Sequence, residues 1–249
     1  MRQGLTAEIE AADADPAARQ RTPVARIRRA LPWLAVGTAA YLVTLIATFP
    51  ARFVVDMGPR WAVSGTVWSG EAVVDGAYRV EWRWAPWRSL AAFAFAADVR
   101  VTGAGTDLAG SATEAPGRLV VEGLSGQGDG GLLAAFGPKL PFVCDMSLQV
   151  AIDRLIVSDA HSEARGRIGS EAGRCTPVGG GAAAPLPALM TTLQPISDSA
   201  SAITVAEPGR DRLHLFEGQI GSGRIRLAPT RAGMEALPFA QAMSVDEAL

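Results

Sequence analysis

The chain is poor in the residues on which most catalytic and metal sites depend. It has two histidines, two cysteines and a single lysine, Lys139, among 249 residues. Metal sites need several closely spaced ligands, and histidine is the commonest general base. His161 and His214 are the only histidine bases, and no Gly-x-Ser-x-Gly elbow supplies a nucleophile beside them. We therefore predict a non-enzymatic protein with no catalytic, cofactor or metal site.

An excess of basic charge is also lacking. The net charge is −2, whereas nucleic-acid-binding proteins normally show a basic patch or stripe. Gly126, Gly128, Gly130 and Gly131 superficially suggest a phosphate-binding loop. They lack both the lysine and hydroxyl pair and the helix-opening context that phosphate motifs require. Neither a nucleic acid nor a small-molecule substrate is expected as a partner.

Long apolar runs are absent except for one, the uncharged stretch from Ala30 to Ala51. As a helix it spans roughly 33 Å, close to the hydrocarbon thickness of a bilayer. It predicts a transmembrane helix over residues 30–51. The competing interpretation is a cleaved signal peptide, whose apolar region normally runs only about 7 to 15 residues and ends at a small-residue cleavage site.

Arginines crowd the amino-terminal side of this stretch. Cationic flanks stay in the cytoplasm, so the sequence predicts a single-pass membrane protein with its short tail in the cytoplasm and its bulk on the outer side. Residues 1–29 contain almost no large apolar side chains, which is typical of a disordered cytoplasmic tail. The basic flank consists of Arg19, Arg21, Arg26, Arg28 and Arg29.

Small residues recur on one side of the predicted membrane helix. Ala40, Thr44 and Thr48 follow each other at intervals of four, which places them on one face. Small residues let membrane helices approach each other closely. This face is a candidate contact for another membrane helix; the alternative is a set of ordinary small residues facing lipid.

Cys144 and Cys175 both fall on the predicted outer side of the membrane, where thiols are generally oxidised. A disulfide between them would close a loop of about 30 residues and contribute roughly 3.5 kcal/mol in the chain-entropy model. Two unrelated buried thiols or a metal site are the alternatives.

Short segments that alternate between apolar and charged residues follow the membrane stretch. Residues 79–84, 98–101 and 224–227 all show the period of a half-buried strand, which favours antiparallel pairing. The predicted fold is mainly β: one membrane helix followed by a curved antiparallel sheet or meander with one or two short helices. The candidate helices are residues 131–137 and 188–194.

Composition divides this part of the chain further. Residues 52–175 are predicted as the β-rich periplasmic domain. Residues 176–201 begin with a Gly-, Ala- and Pro-rich run, which indicates a linker containing a possible short helix. Residues 202–228 are predicted as a C-terminal hairpin of the same sheet, and residues 229–249 as a tail that is partly disordered.

One pattern occurs twice. Each copy begins at a Pro-Gly pair suited to a type II turn and continues to Glu-Gly-x-x-Gly-x-Gly, at residues 122–128 and 217–223. Two copies of a strand-turn-strand pattern predict a repeated hairpin. Chance similarity in a glycine-rich chain is the alternative.

Five of the six tryptophans form the densest aromatic group. We interpret them as sheet core or as an interfacial belt beside the membrane, with a partner-binding surface as the alternative. The group consists of Trp61, Trp68, Trp82, Trp84 and Trp87.

These features together resemble a known family. A basic tail and one membrane helix ending near LIATFPARFV precede VSGTVWSGEA and a Trp-x-Trp-x-Pro run in Trp82, Trp84 and Pro86. This layout resembles the type II secretion system protein N family (general secretion pathway protein N). Cys144 and the Gly173-Arg174-Cys175 segment look like that family's pair of extracytoplasmic cysteines. The likeness covers about residues 31–228.

The resemblance implies a non-enzymatic, inner-membrane accessory or assembly component of the machinery that exports folded proteins from the periplasm across the outer membrane. Its implied partners are other inner-membrane components of that apparatus. An alternative is an AsmA-like, membrane-anchored lipid-handling protein, which would need a continuous apolar groove. An anchored hydrolase is the least favoured alternative, for want of a base and a nucleophile.

Overall fold

The computed structural model describes residues 23–54, 58–137, 140–158, 161–237 and 244–248. These residues belong to two units, one that ends at Thr48 and one that starts at Phe49. Residues 1–22 of the predicted disordered tail lie outside the described residues.

The first unit contains one long helix, α1 (Pro23–Ala47), with Pro32 inside it. The helix begins and ends earlier than the predicted span of residues 30–51. Its apolar side chains from Trp33 to Ile46 are exposed. None of the helices in the described part of the chain combines the length and the hydropathy needed to cross a membrane.

The second unit is built mainly from antiparallel strands, preceded by one 3₁₀ turn (Ala51–Phe53). Three short helices occur among the described residues of this unit: α2 (Pro86–Ala92), α3 (Gly131–Phe136) and α4 (Arg231–Ala236). The strands described are β1 (Trp61–Gly65), β2 (Ser69–Val74), β3 (Tyr78–Trp84), β4 (Phe95–Gly103), β5 (Thr106–Ala115), β6 (Arg118–Asp129), β7 (Phe142–Asp145), β8 (Ser147–Ser158), β9 (Ser162–Ser170), β10 (Gly173–Pro177), β11 (Ala184–Leu186), β12 (Leu189–Ser197), β13 (Ala200–Ala206), β14 (His214–Gly221), β15 (Arg224–Pro229) and β16 (Val245–Ala248).

The large sheet follows the order of the chain. Its strands run β1-β2-β3-β4-β5-β6-β8-β9-β12-β13-β14-β15-β16, each antiparallel to its neighbour. The omitted strands form a separate three-stranded sheet in the order β11-β10-β7, called the small sheet below. The mainly β, antiparallel prediction is confirmed.

Alternation gives the large sheet one apolar face, called the inner face below. Residues directly opposite each other across successive strands form a row that is mostly apolar. Because side chains alternate along a strand, every second residue from this row lies on the same face. The row consists of Val80, Val101, Leu108, Gly126, Val150, Ile168, Thr191, Val205 and Phe216.

Two clusters of buried side chains form the core. In the first, Leu132 of α3 packs with Tyr78, Leu108 and Val150 of the large sheet. The second cluster contains the two cysteines and Leu186 of the small sheet together with apolar residues of β9 and β12 to β14. The inner face is therefore covered by α3 and by the small sheet.

The local pattern correctly predicted the helix near residues 131–137, whereas residues 188–194, also predicted as a helix, lie mostly in strand β12. Leu189 and Leu193 of β12 lie opposite residues of β9, and Leu193 is buried. Helical and strand patterns are hard to distinguish in a short apolar segment, and here pairing on both sides decides for the strand. The predicted linker of residues 176–201 is thus limited to residues 178–183.

The predicted C-terminal hairpin is part of the large sheet, but the tail after it contains further elements. Helix α4 packs beside β14, and β16 pairs with β15. Arg224 Nε and Nη2 donate hydrogen bonds of 2.9 Å and 2.7 Å to Asp246 Oδ1, and Arg226 lies 3.5 Å from the same carboxylate. Residues 231–236 and 245–248 of the predicted tail thus form a helix and a strand.

The repeated Glu-Gly-x-x-Gly-x-Gly pattern does not form two equivalent hairpins. Residues 122–128 lie inside the single strand β6, where Gly123 has a φ of 62° beside a register shift. Residues 217–223 run from β14 into the turn before β15. The shared spacing fulfils different backbone roles, a bulged strand in one copy and a turn in the other.

Candidate functional site

The five tryptophans of the dense group have different surroundings. Trp61 packs edge-on against Phe136 with ring centroids 5.7 Å apart, next to the first core cluster. Trp82 is half-buried, whereas Trp84 and Trp87 are exposed. The core interpretation therefore fits Trp61 and Trp82, and the surface interpretation fits Trp84 and Trp87.

The GTVWSG segment connects β1 to β2 and packs against β3. The indole Nε1 of Trp82 donates to the carbonyl oxygens of Thr66 and Val67, at 3.3 Å and 3.1 Å. A Cβ atom on Gly70 would lie 2.3 Å from the ring of Trp82, so only glycine leaves room for the indole. The ring of Trp68 packs against that of Trp84, with centroids 4.7 Å apart. The two tryptophan motifs named in the sequence analysis thus form one contiguous structure.

The start of the second unit joins this structure. Pro50 forms an isolated bridge with Thr66, and the amide of Val67 donates to the carbonyl oxygen of Phe49 at 3.1 Å. The rings of Phe49 and Phe53 lie 6.1 Å apart. The segment that follows α1 in the chain is therefore attached to the GTVWSG turn by backbone hydrogen bonding.

The hydroxyl of Ser89 orients helix α2 against the sheet. Ser89 Oγ accepts hydrogen bonds from Trp84 Nε1 at 2.8 Å and from the amide of Ala96 at 2.9 Å. The same hydroxyl lies 3.0 Å from the carbonyl oxygen of Ala85 and donates to it. A serine thus faces the sheet, where an ordinary surface helix would place an apolar residue.

The opposite side of α2 is apolar and exposed. Trp87 is 81% exposed, Leu90 64% and Phe93, the residue after the helix, 97%. Phe93 ends the helix in the left-handed conformation, with a φ of 50°. We group them with three exposed rings that are linked to α2 through the GTVWSG turn and Trp68, and call the set the aromatic surface: Phe49, Phe53, Trp84, Trp87, Leu90 and Phe93.

Two arginines flank the aromatic surface. The guanidinium carbon of Arg52 lies 5.1 Å from the centroid of the Phe53 ring, within the range of a cation–π contact. Arg88 on α2 forms an ion pair with Asp98 of β4. The border of the patch therefore carries cationic groups beside exposed aromatic rings.

Cys144 and Cys175 lie opposite each other on β7 and β10, with their sulfur atoms at disulfide-bonding distance. Both are buried in the second core cluster. The predicted pairing of these two residues is confirmed in the structure. The pair joins two strands of the small sheet that are separated by β8 and β9 in the chain.

The small residues predicted as a helix contact use their hydroxyls within α1. Thr44 Oγ1 donates to the carbonyl oxygen of Ala40 at 2.9 Å, and Thr48 Oγ1 donates to that of Thr44 at 2.8 Å. All three residues are exposed. Their contact with another membrane helix stays a prediction.

Within the described part of the chain, neither histidine ring has a serine among its hydrogen-bond partners. Ser158 Oγ donates to the main-chain oxygen of His161 at 2.7 Å, which is a turn contact and leaves the imidazole uninvolved. His214 Nδ1 lies 2.7 Å from Glu217 Oε1 at the surface. Among the described residues, no three His, Cys, Asp or Glu side chains are grouped as metal ligands would be.

An open groove of about 950 Å³ lies on the face opposite the core, between β9 and β14. Charged side chains of both signs line it, including Arg165, Arg167, Asp153 and Asp211. This mixture presents no single charge to a ligand.

Tyr78 and Asp129 form a polar contact at the border of the core. The Tyr78 hydroxyl donates to Asp129 Oδ1 at 2.5 Å, and the same oxygen accepts from the amide of Gly131 at 3.0 Å. Burial, followed by the hydrogen bond to the carboxylate, raises the pKa of Tyr78 well above its usual value. Asp129 thereby positions the start of α3 over the sheet.

Neither the role of Ser89 nor the outward orientation of α2 was predicted from the sequence. Pro86 suits the first turn of a helix, and Trp87, Leu90 and Ala91 follow at helical spacing. This signal predicts a helix but leaves open which side faces the sheet.

No protein-family model matches the chain, and no curated protein or solved structure shows significant similarity to it.

Proposed function

We propose that this protein is a membrane-anchored accessory or assembly component of a type II secretion system, with its β domain in the periplasm. In this proposal α1 lies in the inner membrane and the domain from Phe49 onwards binds other inner-membrane components of the apparatus. The proposal begins from the family resemblance of residues 31–228.

The observation that carries the proposal is the contact between the two tryptophan motifs on which the resemblance depends. GTVWSG and the Trp-x-Trp strand are separate in the chain, yet Trp82 bonds to the backbone of the first motif and Trp68 packs on Trp84. The two motifs therefore belong to one structural unit.

The paired cysteines support the proposed compartment. A buried disulfide that links two strands of the small sheet is stable in the oxidising periplasm, whereas cytosolic thiols are kept reduced. The uncharged stretch of residues 30–51 and the arginines before it support the proposed anchor and its orientation.

The lipid-handling alternative is less well supported by the covered inner face. An acyl chain needs a continuous apolar groove, but Leu132 of α3 and the cysteines of the small sheet pack onto the face that would provide it. We therefore place the functional surface on the exterior of the domain.

A deletion experiment tests the proposal. We expect loss of the gene to leave type II substrates in the periplasm, and the full chain supplied in trans to restore their export. Leakage of a resident periplasmic enzyme serves as the control for a damaged envelope. Cross-linking in intact cells should recover inner-membrane secretion components. Unchanged export, together with recovery of lipids alone, would contradict the proposal.

A further inference from the structure

We infer that the aromatic surface docks the β domain onto the bilayer, so that Trp87, Leu90 and Phe93 insert into the membrane interface. This inference rests on the membrane anchoring in the proposed function. It adds a second point of lipid contact, in the domain itself.

The first argument is the inverted polarity of α2. Ser89 faces the sheet and satisfies three hydrogen-bonding groups there, while Trp87 and Leu90 face outward. Exposed apolar groups of this size are costly in water, and contiguous ones mark surfaces that bind a partner or a membrane. The arrangement of α2 therefore favours an apolar environment outside the domain.

The second argument is the position of the patch along the chain. Only Thr48 separates Phe49 from the last residue of α1. Phe49 in turn is bonded to Val67, and the neighbouring Trp68 packs on Trp84, which bonds to Ser89 of α2. When α1 lies in the bilayer, this chain of contacts starts where the helix emerges from the lipid.

The third argument is the chemistry of the side chains. Tryptophan is enriched at membrane–water interfaces, because its ring is apolar while its N–H remains polar. Arg52, beside the Phe53 ring at the border of the patch, matches anionic headgroups. A bilayer with anionic lipid thus fits both the apolar centre and the cationic border.

Site-specific fluorescence on the full chain tests the inference. The described residues contain no free cysteine, so a cysteine introduced by Phe93→Cys can be labelled selectively with an environment-sensitive fluorophore. Val178→Cys is the matched control, because Val178 is also an exposed apolar residue but lies in the connection after β10. Both variants are reconstituted into vesicles of phosphatidylethanolamine and phosphatidylglycerol that contain nitroxide-labelled lipid.

We expect the label at position 93 to shift to shorter emission wavelength and to be quenched by the nitroxide lipid, while the label at position 178 is quenched by aqueous iodide. Equal iodide quenching at both positions would overturn the inference. Protection of position 93 from both quenchers would overturn it as well, since a second copy of the chain would then cover the surface.

Carbonate extraction of the same vesicles separates this inference from the anchor. A chain that resists extraction without lipid quenching at position 93 retains the anchor and refutes the docking. A chain that is extracted but quenched by lipid refutes the anchor and retains the docking. Circular dichroism of each labelled variant, compared with the unlabelled chain, verifies that the domain is folded.

Discussion

Ser201 on β13 accepts a hydrogen bond of 2.7 Å from the backbone amide of Ala164 on β9, although β12 lies between these strands in the sheet. The contact is possible because β12 pairs only with residues 166–170 of β9. The first residues of β9, which include Ala164, can therefore contact β13. Ser162 nearby accepts from the amide of Gly223 at 3.3 Å. Two buried serines thus join β9 to β13 and to the turn between β14 and β15, neither of which is adjacent to β9 in the sheet.

Ser201→Ala should destabilise the domain by about 1–3 kcal/mol, because the buried amide of Ala164 loses its acceptor. Ser199→Ala, in the exposed turn beside it, serves as the control and should leave the free energy of unfolding nearly unchanged. Urea unfolding of both variants measures the difference. Equal stability of the two would show that the hydrogen bond does not hold β9 to β13.

Removing the disulfide by the double change Cys144→Ala and Cys175→Ala should cost about 3.5 kcal/mol, since the cysteines are separated by 31 residues. Unfolding by urea with and without dithiothreitol measures this cost. The reductant should destabilise the native chain and leave the double variant unaffected. A native chain indifferent to the reductant would exclude the disulfide as a source of stability.

Gly70→Ala should destabilise the domain by about 1–3 kcal/mol, because the new methyl group would overlap the ring of Trp82 and the carbonyl oxygen of Ser64. Gly179→Ala is a suitable control, since open space surrounds that position. Thermal unfolding followed by circular dichroism compares the two variants. Similar unfolding temperatures would mean that the GTVWSG turn can move away from β3 at little cost.

The raised pKa of Tyr78 predicts a loss of stability in alkaline solution. A group whose pKa is higher in the folded state favours folding while it is protonated. Its contribution is therefore complete below the unfolded pKa of about 10 and decreases as the pH rises toward the folded value. Tyr78→Phe should flatten this dependence. In a Tyr41→Phe chain, where Tyr78 is the only tyrosine, tyrosinate absorbance should appear at higher pH in the folded than in the urea-unfolded protein.

The pairing of β16 with β15 should weaken at low pH. Hydrogen bonds from Arg224, together with the charge of Arg226, lower the pKa of Asp246. A lowered pKa favours folding above the unfolded value of about 3.9, and this contribution is lost as the pH falls through the folded value. Exchange of the backbone amide hydrogens of residues 245–248 should therefore accelerate as the pH falls through this value. Asp246→Asn should show the faster exchange already at neutral pH.

Much of the fold could be predicted from alternation alone. Residues 79–84, 98–101 and 224–227 lie in strands because period-two patterns require one apolar and one polar face. The helix at residues 131–137 was recognisable as well. In contrast, β12 resembled a helix, and β16 carried little strand signal, since its place depends on β15 and on the Arg224–Asp246 pair.

The candidate site was only partly predictable. The tryptophans were visible as a group, and both surface and core interpretations applied to different members. What could not be predicted was the direction in which α2 faces, because it depends on hydrogen bonds from Trp84 and Ala96 to Ser89. These residues come together only when β3, α2 and β4 have formed.

The amino-acid sequence by itself determined the β-rich class of the domain, the apolar stretch of residues 30–51 and the presence of just two cysteines, because these depend on composition and local period. Only the tertiary structure decided that the cysteines face each other across β7 and β10, that α3 and the small sheet cover the inner face, and that Trp87 and Phe93 remain outside. Such features depend on contacts between residues far apart in the chain, which no local pattern encodes.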